Sequence, residues 1–240
     1  MKKYTLPDMP FWNKNKKHIL ELLMAGLLLV SFVFLSREAA VASREMNGQK
    51  VIVVDAGHGG RDPGMLGVND LEEDGVNLAI AKKLKAQLEQ RGYTVIMTRE
   101  DENGLYEEGA PNMKVQDLQK RISIIEESNA LLTVSIHQNS YEDASVKGPQ
   151  VFYYEDSLEG ERLAQAIQEK MNQELAPSSK RTAKGNKTYY LLKKSAGIVN
   201  IVECGFLTNP EEAKMLVTEE YQDKVAKAVT DGIQAYLEEE

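Results

Sequence analysis

Two histidines of this sequence stand where an apolar strand gives way to a loop, a position well suited to chemistry. His58 follows a β-branched run and lies between Gly57 and Gly59. Because glycine has no side chain, the space around the imidazole is open. His137 ends the apolar run that begins at Leu131. Because the carboxyl ends of parallel strands meet at one edge of a sheet, the two side chains can converge although they are far apart in sequence. Either imidazole alone could be a structural, hydrogen-bonded residue, but the pair favours a metal ion, and zinc would need one further ligand.

Acidic residues at a predicted helix start are candidates for that further ligand. Glu72, Glu73 and Asp74 follow the loop that carries His58. Carboxylates in this position usually interact with the helix dipole, and for any one of them that is the alternative interpretation. One of them could instead complete a His-His-Glu set and leave the fourth tetrahedral position for water.

Glu203 is a candidate for acid–base chemistry because it ends the apolar run I-V-N-I-V-E that starts at Ile198. A carboxylate at the end of an inner strand is costly to desolvate, and burial raises its pKa towards the range of a general base. The adjacent Cys204 is the only cysteine, which excludes an internal disulfide and a cysteine-rich zinc site. We expect a small buried residue there, because a nucleophilic cysteine needs a histidine partner and both available histidines are better placed as metal ligands.

Hydrophobic periodicity predicts strands that alternate with helices along the chain. Apolar residues recurring about every four positions predict four helices, around residues 76–88, 118–125, 163–171 and 225–237. Apolar and β-branched runs predict six strands, at residues 49–55, 93–98, 131–137, 150–154, 188–192 and 198–203. Loops are predicted at residues 99–112 and 176–187. This order is typical of a single α/β domain with a mostly parallel central β-sheet covered by helices on both faces.

The N-terminal segment differs in kind from the rest. Five lysines precede an apolar run over residues 19–35, and a small-residue sequence, Ala40-Val41-Ala42, follows it. The pattern predicts a signal peptide or a signal anchor over residues 1–43, with the folded domain at residues 44–240. A buried core helix is the alternative, but it would show polar positions at helical spacing. The domain is therefore predicted to be exported, either secreted or anchored, with membrane contact only through this segment.

The charge of the folded domain bears on its partners. Residues 1–43 carry six Lys or Arg and three Asp or Glu, a net +3, whereas the whole chain of 240 residues carries −8. The remainder therefore carries −11. An acidic surface of this kind argues against nucleic acid as a partner, because phosphate binding needs basic residues.

Four separated motifs carry a resemblance to a known family. They are D-A-G-H-G-G-R-D-P-G from Asp55, the glutamate before N-L-A-I-A, S-I-H-Q-N-S from Ser135, and V-E-C-G-F-L-T-N-P-E from Val202. Together and in this order they resemble the zinc-dependent N-acetylmuramoyl-L-alanine amidases of bacterial cell walls (amidase type 3). Thr98-Arg99 and the spacing from Arg121 to Asn129 are two weaker similarities to the same family. The likeness extends over residues 51–237.

The resemblance implies a zinc enzyme and assigns its residues. His58, Glu73 and His137 would be the zinc ligands, and Glu203 would be the catalytic carboxylate. Glu73 is preferred to Glu72 because the family's ligand lies four residues before the Asn of its N-L motif. The implied reaction is hydrolysis of the amide bond between N-acetylmuramic acid and L-alanine of peptidoglycan, with Glu203 moving a proton from water to the departing amine.

The sequence departs from the family pattern at three positions. Ala56 stands where the family often has Pro, and Gln138 replaces a small residue after the second histidine. Gly75 interrupts a common Glu-Lys-Asp triplet near the helix start, which bears on the choice between Glu72 and Glu73.

The size of the catalytic domain and the single targeting segment are most similar to the spore-cortex members of the family. Those enzymes remove peptides from muramic acid so that a deacetylase can close the muramic δ-lactam needed for germination. The resemblance thus implies peptidoglycan as substrate, a deacetylase acting on the product and the forespore intermembrane space as location, and it leaves an accessory protein open. Two other functions fit the residues: another zinc peptidase or carboxypeptidase of the cell wall, or a non-catalytic peptidoglycan-binding domain whose glycine turn holds an anion.

Overall fold

The computed structural model describes residue 18, residues 20–31 and residues 50–239. The chain divides into two compact units, Met1–Gln49 and Lys50–Glu240. In the first unit, residues 20–31 form a helix, α1. Among the described residues, none of the helices has both the length and the apolar character needed to cross a membrane. Most of the predicted signal peptide or anchor, and its predicted end at residue 43, lie outside the described residues.

The second unit is built on a six-stranded sheet in the order β2-β1-β3-β6-β4-β5. Its strands are β1 (Val51–Ala56), β2 (Thr94–Met97), β3 (Leu132–Asn139), β4 (Gln150–Tyr154), β5 (Lys184–Asn186) and β6 (Val199–Phe206). The four strands β2, β1, β3 and β6 are parallel, whereas β4 is antiparallel to β6 and β5 is parallel to β4. The predicted mostly parallel sheet is therefore confirmed.

Helices cover both faces of this sheet, as predicted. They are α2 (Glu73–Gln90), α3 (Met113–Ser128), α4 (Leu158–Glu174), α5 (Tyr190–Lys194), α6 (Pro210–Leu216) and α7 (Glu219–Glu238), with a 3₁₀ turn at Val68–Asp70. α2, α4 and α7 pack on one face, over a core cluster that includes Ile52 and Val134. α3 and α5 lie on the other face, over Val53 and Ile201. Because both faces are covered, the inner strands are apolar almost throughout, and polar residues at their ends stand out.

The segment before β6 corrects two predictions. The strand predicted at residues 188–192 is wrong, because helix α5 begins at Tyr190. The loop predicted at residues 176–187 contains a strand, β5. The side chain of Asn186 accepts hydrogen bonds from the backbone N–H groups of Thr188 (2.7 Å) and Tyr189 (2.8 Å), which turns the chain out of the sheet and into the helix.

Helix α6 was not predicted from the periodicity of the sequence. Asn209 caps it by accepting hydrogen bonds from the N–H groups of Glu211 and Glu212, both at 3.0 Å, and Pro210 occupies the first turn. Asn followed by Pro is a readable helix start, but seven residues are too few for a hydrophobic period to reveal.

Candidate active site

The turn after β1 presents His58 in a backbone conformation that few side chains adopt. His58 has a φ of 61°, in the left-handed region. The residue before it must be glycine, because a Cβ on Gly57 would lie 2.2 Å from Cε1 of His137. The glycine-rich turn thus lets the two imidazoles approach, and their ring centroids are 4.9 Å apart.

Two buried arginines fix the backbone of this turn. Arg99 donates to the carbonyl oxygens of Ala56 (2.9 Å) and Gly57 (3.0 Å). Arg121 donates to the carbonyl oxygens of Ala56 (2.6 Å) and His58 (2.5 Å). Three successive carbonyl groups are therefore held by guanidinium groups. These hydrogen bonds give a physical reason for the similarity to the family pattern at Thr98-Arg99 and at Arg121.

Asp55 balances the charge of Arg121 beneath the site. The two side chains are almost fully buried, and Arg121 Nη1 lies 2.6 Å from Asp55 Oδ1. Thr98 and Ser135 also donate to the Asp55 carboxylate. Burial alone would raise the pKa of Asp55, but Arg121 and the two hydroxyl donors outweigh it and hold the pKa at about 2. A carboxylate paired in this way stays charged and keeps the arginine in place.

Glu73 is the first residue of α2 and lies between the two histidines. It is only 2% exposed. Its Oε1 lies 3.0 Å from Nδ1 of His137, and its Oε2 lies 3.3 Å from Nε2 of His58. Glu72, the N-cap of the same helix, is exposed instead. The structure therefore brings together His58, Glu73 and His137, and one potential ligand atom from each lies within 4.8 Å of the others.

Backbone and amide donors hold the Glu73 carboxylate in this orientation. Its Oε1 accepts hydrogen bonds from Asn77 Nδ2 (3.1 Å) and from the N–H of Gln138 (3.0 Å). Its Oε2 accepts from the N–H of Met65 (2.9 Å). The buried side chain of Gln138, which departs from the family pattern, donates to Asn77 Oδ1 (3.2 Å). Gly75 is exposed on α2, and the space around it is open, so this departure leaves the position of Glu73 undisturbed.

The electrostatics of the cluster favour a bound cation. Burial alone would lower the pKa of His58, but the carboxylates of Glu73 and Asp62 outweigh it and raise the pKa to about 9. Conversely, the imidazoles of His137 and His58 hold the pKa of Glu73 well below its usual range, although burial opposes this. Nδ1 of His58 lies 3.1 Å from Asp62, so Nε2 is the nitrogen that faces Glu73. Glu73 therefore stays charged and favours positive charge on its imidazole neighbours, which a bound metal cation would replace on displacing the proton.

Glu203 lies beside this cluster on the neighbouring strand. It is the β6 partner of His137 on β3, and it is 8% exposed. Its Oε2 is buried and has no hydrogen-bond partner within the described part of the chain. Burial raises the pKa of Glu203 to about 7, with the imidazole of His137 opposing and the charge of Glu73 adding to the shift. The carboxylate is therefore in the range in which it can both accept and release a proton near neutral pH.

The four predicted residues line one cavity of about 380 Å³. Apolar side chains that line the same cavity include Leu118, Leu191 and Ile201. The cavity is also lined by polar side chains that are not identified from the sequence as functional candidates, among them Asp62 and Tyr189. Asp62 follows His58 by four residues, a spacing compatible with contact, whereas Tyr189 lies in the strand predicted at residues 188–192, which the structure does not form.

Cys204 takes no part in this cavity. It is a free, fully buried cysteine in the core cluster on the face of the sheet that α2 covers. Burial raises the pKa of its thiol, so it stays protonated. The expectation of a small buried residue agrees with this position.

The carboxyl-terminal side of the inner strands brings together two histidines, a buried glutamate between them and a second glutamate whose Oε2 has no partner among the described residues. This arrangement is typical of a hydrolytic enzyme with a metal centre. The sequence profile of the Amidase_3 family, described as N-acetylmuramoyl-L-alanine amidase, matches residues 52–235, and the chain belongs to this family.

Relatives and solved structures agree with this assignment. The germination-specific N-acetylmuramoyl-L-alanine amidase of Bacillus subtilis (strain 168) is 38% identical over 193 residues, which cover 79% of this chain and 81% of that protein. The structure of the CwlD amidase from Clostridioides difficile in complex with the GerS lipoprotein matches with a TM-score of 0.78 and 40% identity, covering 80% of this chain and all of that one. The amidase AmiC2 of Nostoc punctiforme matches with a TM-score of 0.69 and 33% identity, covering 78% and 97% of the two chains.

The protein is therefore a peptidoglycan amidase that cleaves the bond between N-acetylmuramic acid and L-alanine. The predicted enzyme class and fold are confirmed. Neither a carboxypeptidase nor a non-catalytic binding domain is supported.

Proposed function

We propose that this amidase is zinc-dependent, with His58, Glu73 and His137 as the metal ligands and Glu203 as the catalytic carboxylate. The observation that carries the proposal is the buried Oε2 of Glu203, which has no hydrogen-bond partner among the described residues and lies beside the His-Glu-His cluster. A buried carboxylate oxygen without a partner is costly, which is expected where a substrate or water completes its hydrogen bonding.

The donor set fits zinc. Two imidazole nitrogens and one carboxylate oxygen are a typical ligand set for a catalytic zinc ion, whose fourth position stays open. The surrounding backbone leaves room for the donors only because it is glycine: a Cβ on Gly64 would lie 2.5 Å from Oε2 of Glu73 and 2.8 Å from Cδ2 of His58. When bound, zinc would polarise the scissile carbonyl and lower the pKa of a coordinated water.

The protein groups would carry out the proton transfer and the positioning. Glu203 would accept a proton from the attacking water at its free Oε2, and it would then deliver that proton to the nitrogen of the departing L-alanine. A pKa of about 7 suits both steps, because the group must be a base first and an acid afterwards. Asp62, 3.1 Å from Nδ1 of His58, would orient that imidazole with Nε2 towards the ligand set.

Incubation of purified peptidoglycan with the enzyme tests bond and metal dependence together. We expect mass analysis to find released stem peptides with free L-alanine N-termini. A chelator should abolish their release, and added zinc should restore it. Release that persists after complete removal of metal would contradict the zinc proposal while leaving the amidase assignment intact.

We further propose that the enzyme acts in spore-cortex maturation, where peptide removal precedes formation of the muramic δ-lactam by a deacetylase. The similarity to the germination-specific amidase and to the CwlD amidase supports this role. The CwlD amidase forms a complex with the GerS lipoprotein, which supports an accessory protein as a partner of this chain. We also propose that residues 1–43 direct export of the catalytic domain at residues 44–240. Sequencing the N-terminus of the mature protein would distinguish a cleaved signal from a retained anchor.

Deletion of the gene in its spore-forming host tests the cortex role. The expected result is a cortex with very little muramic δ-lactam, because the deacetylase would lack its substrate. A normal δ-lactam content in the deletion strain would overturn this role. Complementation with the wild-type gene and with a Glu203→Gln gene is the matched control.

A further inference from the structure

Tyr189 is held in the active-site cavity by its backbone. Its N–H donates to Oδ1 of Asn186 (2.8 Å), and its carbonyl oxygen accepts from the N–H of Lys193 (3.0 Å) in helix α5. The residue is thus the N-cap of α5. It lies between a turn that the Asn186 side chain stabilises and the first turn of the helix. These contacts fix the Cα position and the direction in which the side chain leaves the chain.

The ring of Tyr189 is fixed as well. It packs edge-to-face against Phe152 of β4, with centroids 5.3 Å apart and planes at 69°. The side chain is half-buried, and it lines the same cavity as Glu203, Glu73 and His137. A ring held by such packing presents its hydroxyl at a defined place with little loss of conformational entropy on binding.

The hydroxyl of Tyr189 has no partner within the described residues. The residue is only half-buried and lines the cavity, so its hydroxyl is available to a ligand that enters there. Burial, together with the carboxylates of Glu203 and Glu73, raises the pKa of Tyr189 to about 12. The phenol therefore keeps its proton at neutral pH and is available as a hydrogen-bond donor.

The scissile amide offers one strong acceptor, its carbonyl oxygen, which gains negative charge as water attacks. The negative charges of Glu203 and Glu73 oppose this development of charge, whereas a neutral donor would add to the stabilisation that the proposed zinc ion would supply. We propose that the Tyr189 hydroxyl donates a hydrogen bond to this carbonyl oxygen and stabilises the charge that develops there. This inference rests on the proposed function, because it takes Glu203 as the group that handles the proton.

Comparison of Tyr189→Phe with Tyr190→Phe tests the proposal. Phenylalanine keeps the ring and its packing against Phe152 and removes only the hydroxyl. Tyr190 is the next residue, is 42% exposed and does not line the cavity, so its substitution is the matched control. We expect Tyr189→Phe to lower kcat by about 10²-fold on muramyl peptides, the usual effect of removing one such donor, with KM, zinc content and melting temperature unchanged. Tyr190→Phe should keep wild-type kinetics.

The other outcomes overturn the inference. A raised KM with unchanged kcat in Tyr189→Phe would mean that the hydroxyl contacts the substrate equally in the ground state and in the transition state. Wild-type kinetics would mean that the hydroxyl does not contact the reacting carbonyl at all. A fall in kcat accompanied by a lower melting temperature or lost zinc would mean a structural role. Glu203→Gln and metal removal are measured on the same substrate, and if both abolish activity while Tyr189→Phe does not lower kcat, this inference alone fails.

Discussion

Glu203→Gln should lose amide hydrolysis almost completely while keeping its zinc and its fold. Glutamine has the shape of glutamate but neither accepts a proton from water nor returns one to the departing amine. Loss of a general acid–base group typically costs about 10²- to 10⁴-fold in rate. Because the buried Oε2 of Glu203 has no partner in the described structure, removing the charge should leave the melting temperature unchanged or raise it. The measurements are kcat on muramyl peptides, zinc content by mass spectrometry and a thermal unfolding curve.

The pattern across these three measurements decides between explanations. A variant that lost zinc along with activity would place Glu203 among the ligands rather than in proton transfer. Full activity of Glu203→Gln, or of Glu203→Ala, on purified peptidoglycan would remove the catalytic assignment. His58→Ala and His137→Ala provide the contrast, since we expect them to lose zinc and activity together.

The second large effect is expected at the start of α2, where two adjacent glutamates differ in their surroundings. Glu73 is buried between the histidines, whereas Glu72 is exposed at the N-cap. Glu73→Ala should weaken zinc affinity by more than about 100-fold, because even residues that only support metal ligands are worth 10- to 100-fold. Activity at limiting zinc should fall in parallel. Glu72→Ala should keep both zinc affinity and activity close to wild type.

Zinc titration of the metal-free variants measures this difference directly, and circular dichroism establishes that each is folded. If Glu72→Ala loses zinc and Glu73→Ala keeps it, the ligand is the N-cap residue and the interpretation of Gly75 as harmless is also wrong. Since Glu73→Ala leaves the donors of Asn77 and Gln138 without their acceptor, Glu73→Gln serves as a second variant, because its amide oxygen keeps one acceptor for them.

The convergence of the site could be predicted because it depends on strand direction. In the sequence His58, His137 and Glu203 each follow or end an apolar run, and parallel strands bring such ends to the same side of a sheet. In the structure β3 and β6 continue past His137 and Glu203 to Asn139 and Phe206. The start of the next helix supplies Glu72, Glu73 and Asp74 as candidates, and the choice of Glu73 among them comes from the resemblance to the family. The convergence of the strand ends uses only the alternation of strands and helices, which strong periodicity reveals.

The supporting contacts could not be predicted in the same way. Arg99 and Arg121 act on backbone carbonyl groups, and no pattern of side chains in a sequence marks a carbonyl that needs a donor. Tyr189 was hidden by a local ambiguity: the run T-Y-Y-L-L has high strand propensity, but the side chain of Asn186 ends the strand before it. Its place in the cavity depends on that turn and on packing against Phe152, and both are tertiary features.

The His-Glu-His cluster is assembled from three segments that are distant along the chain: the turn after β1, the start of α2 and the end of β3. An unfolded chain holds no such set of ligands, so metal affinity and folding are thermodynamically linked. Each factor of ten by which zinc exceeds its dissociation constant would add about 1.4 kcal/mol to the free energy of unfolding. The resistance of this protein to heat and to proteolysis would then depend on the zinc concentration of the compartment in which it works, and metal supply would set its lifetime as well as its activity.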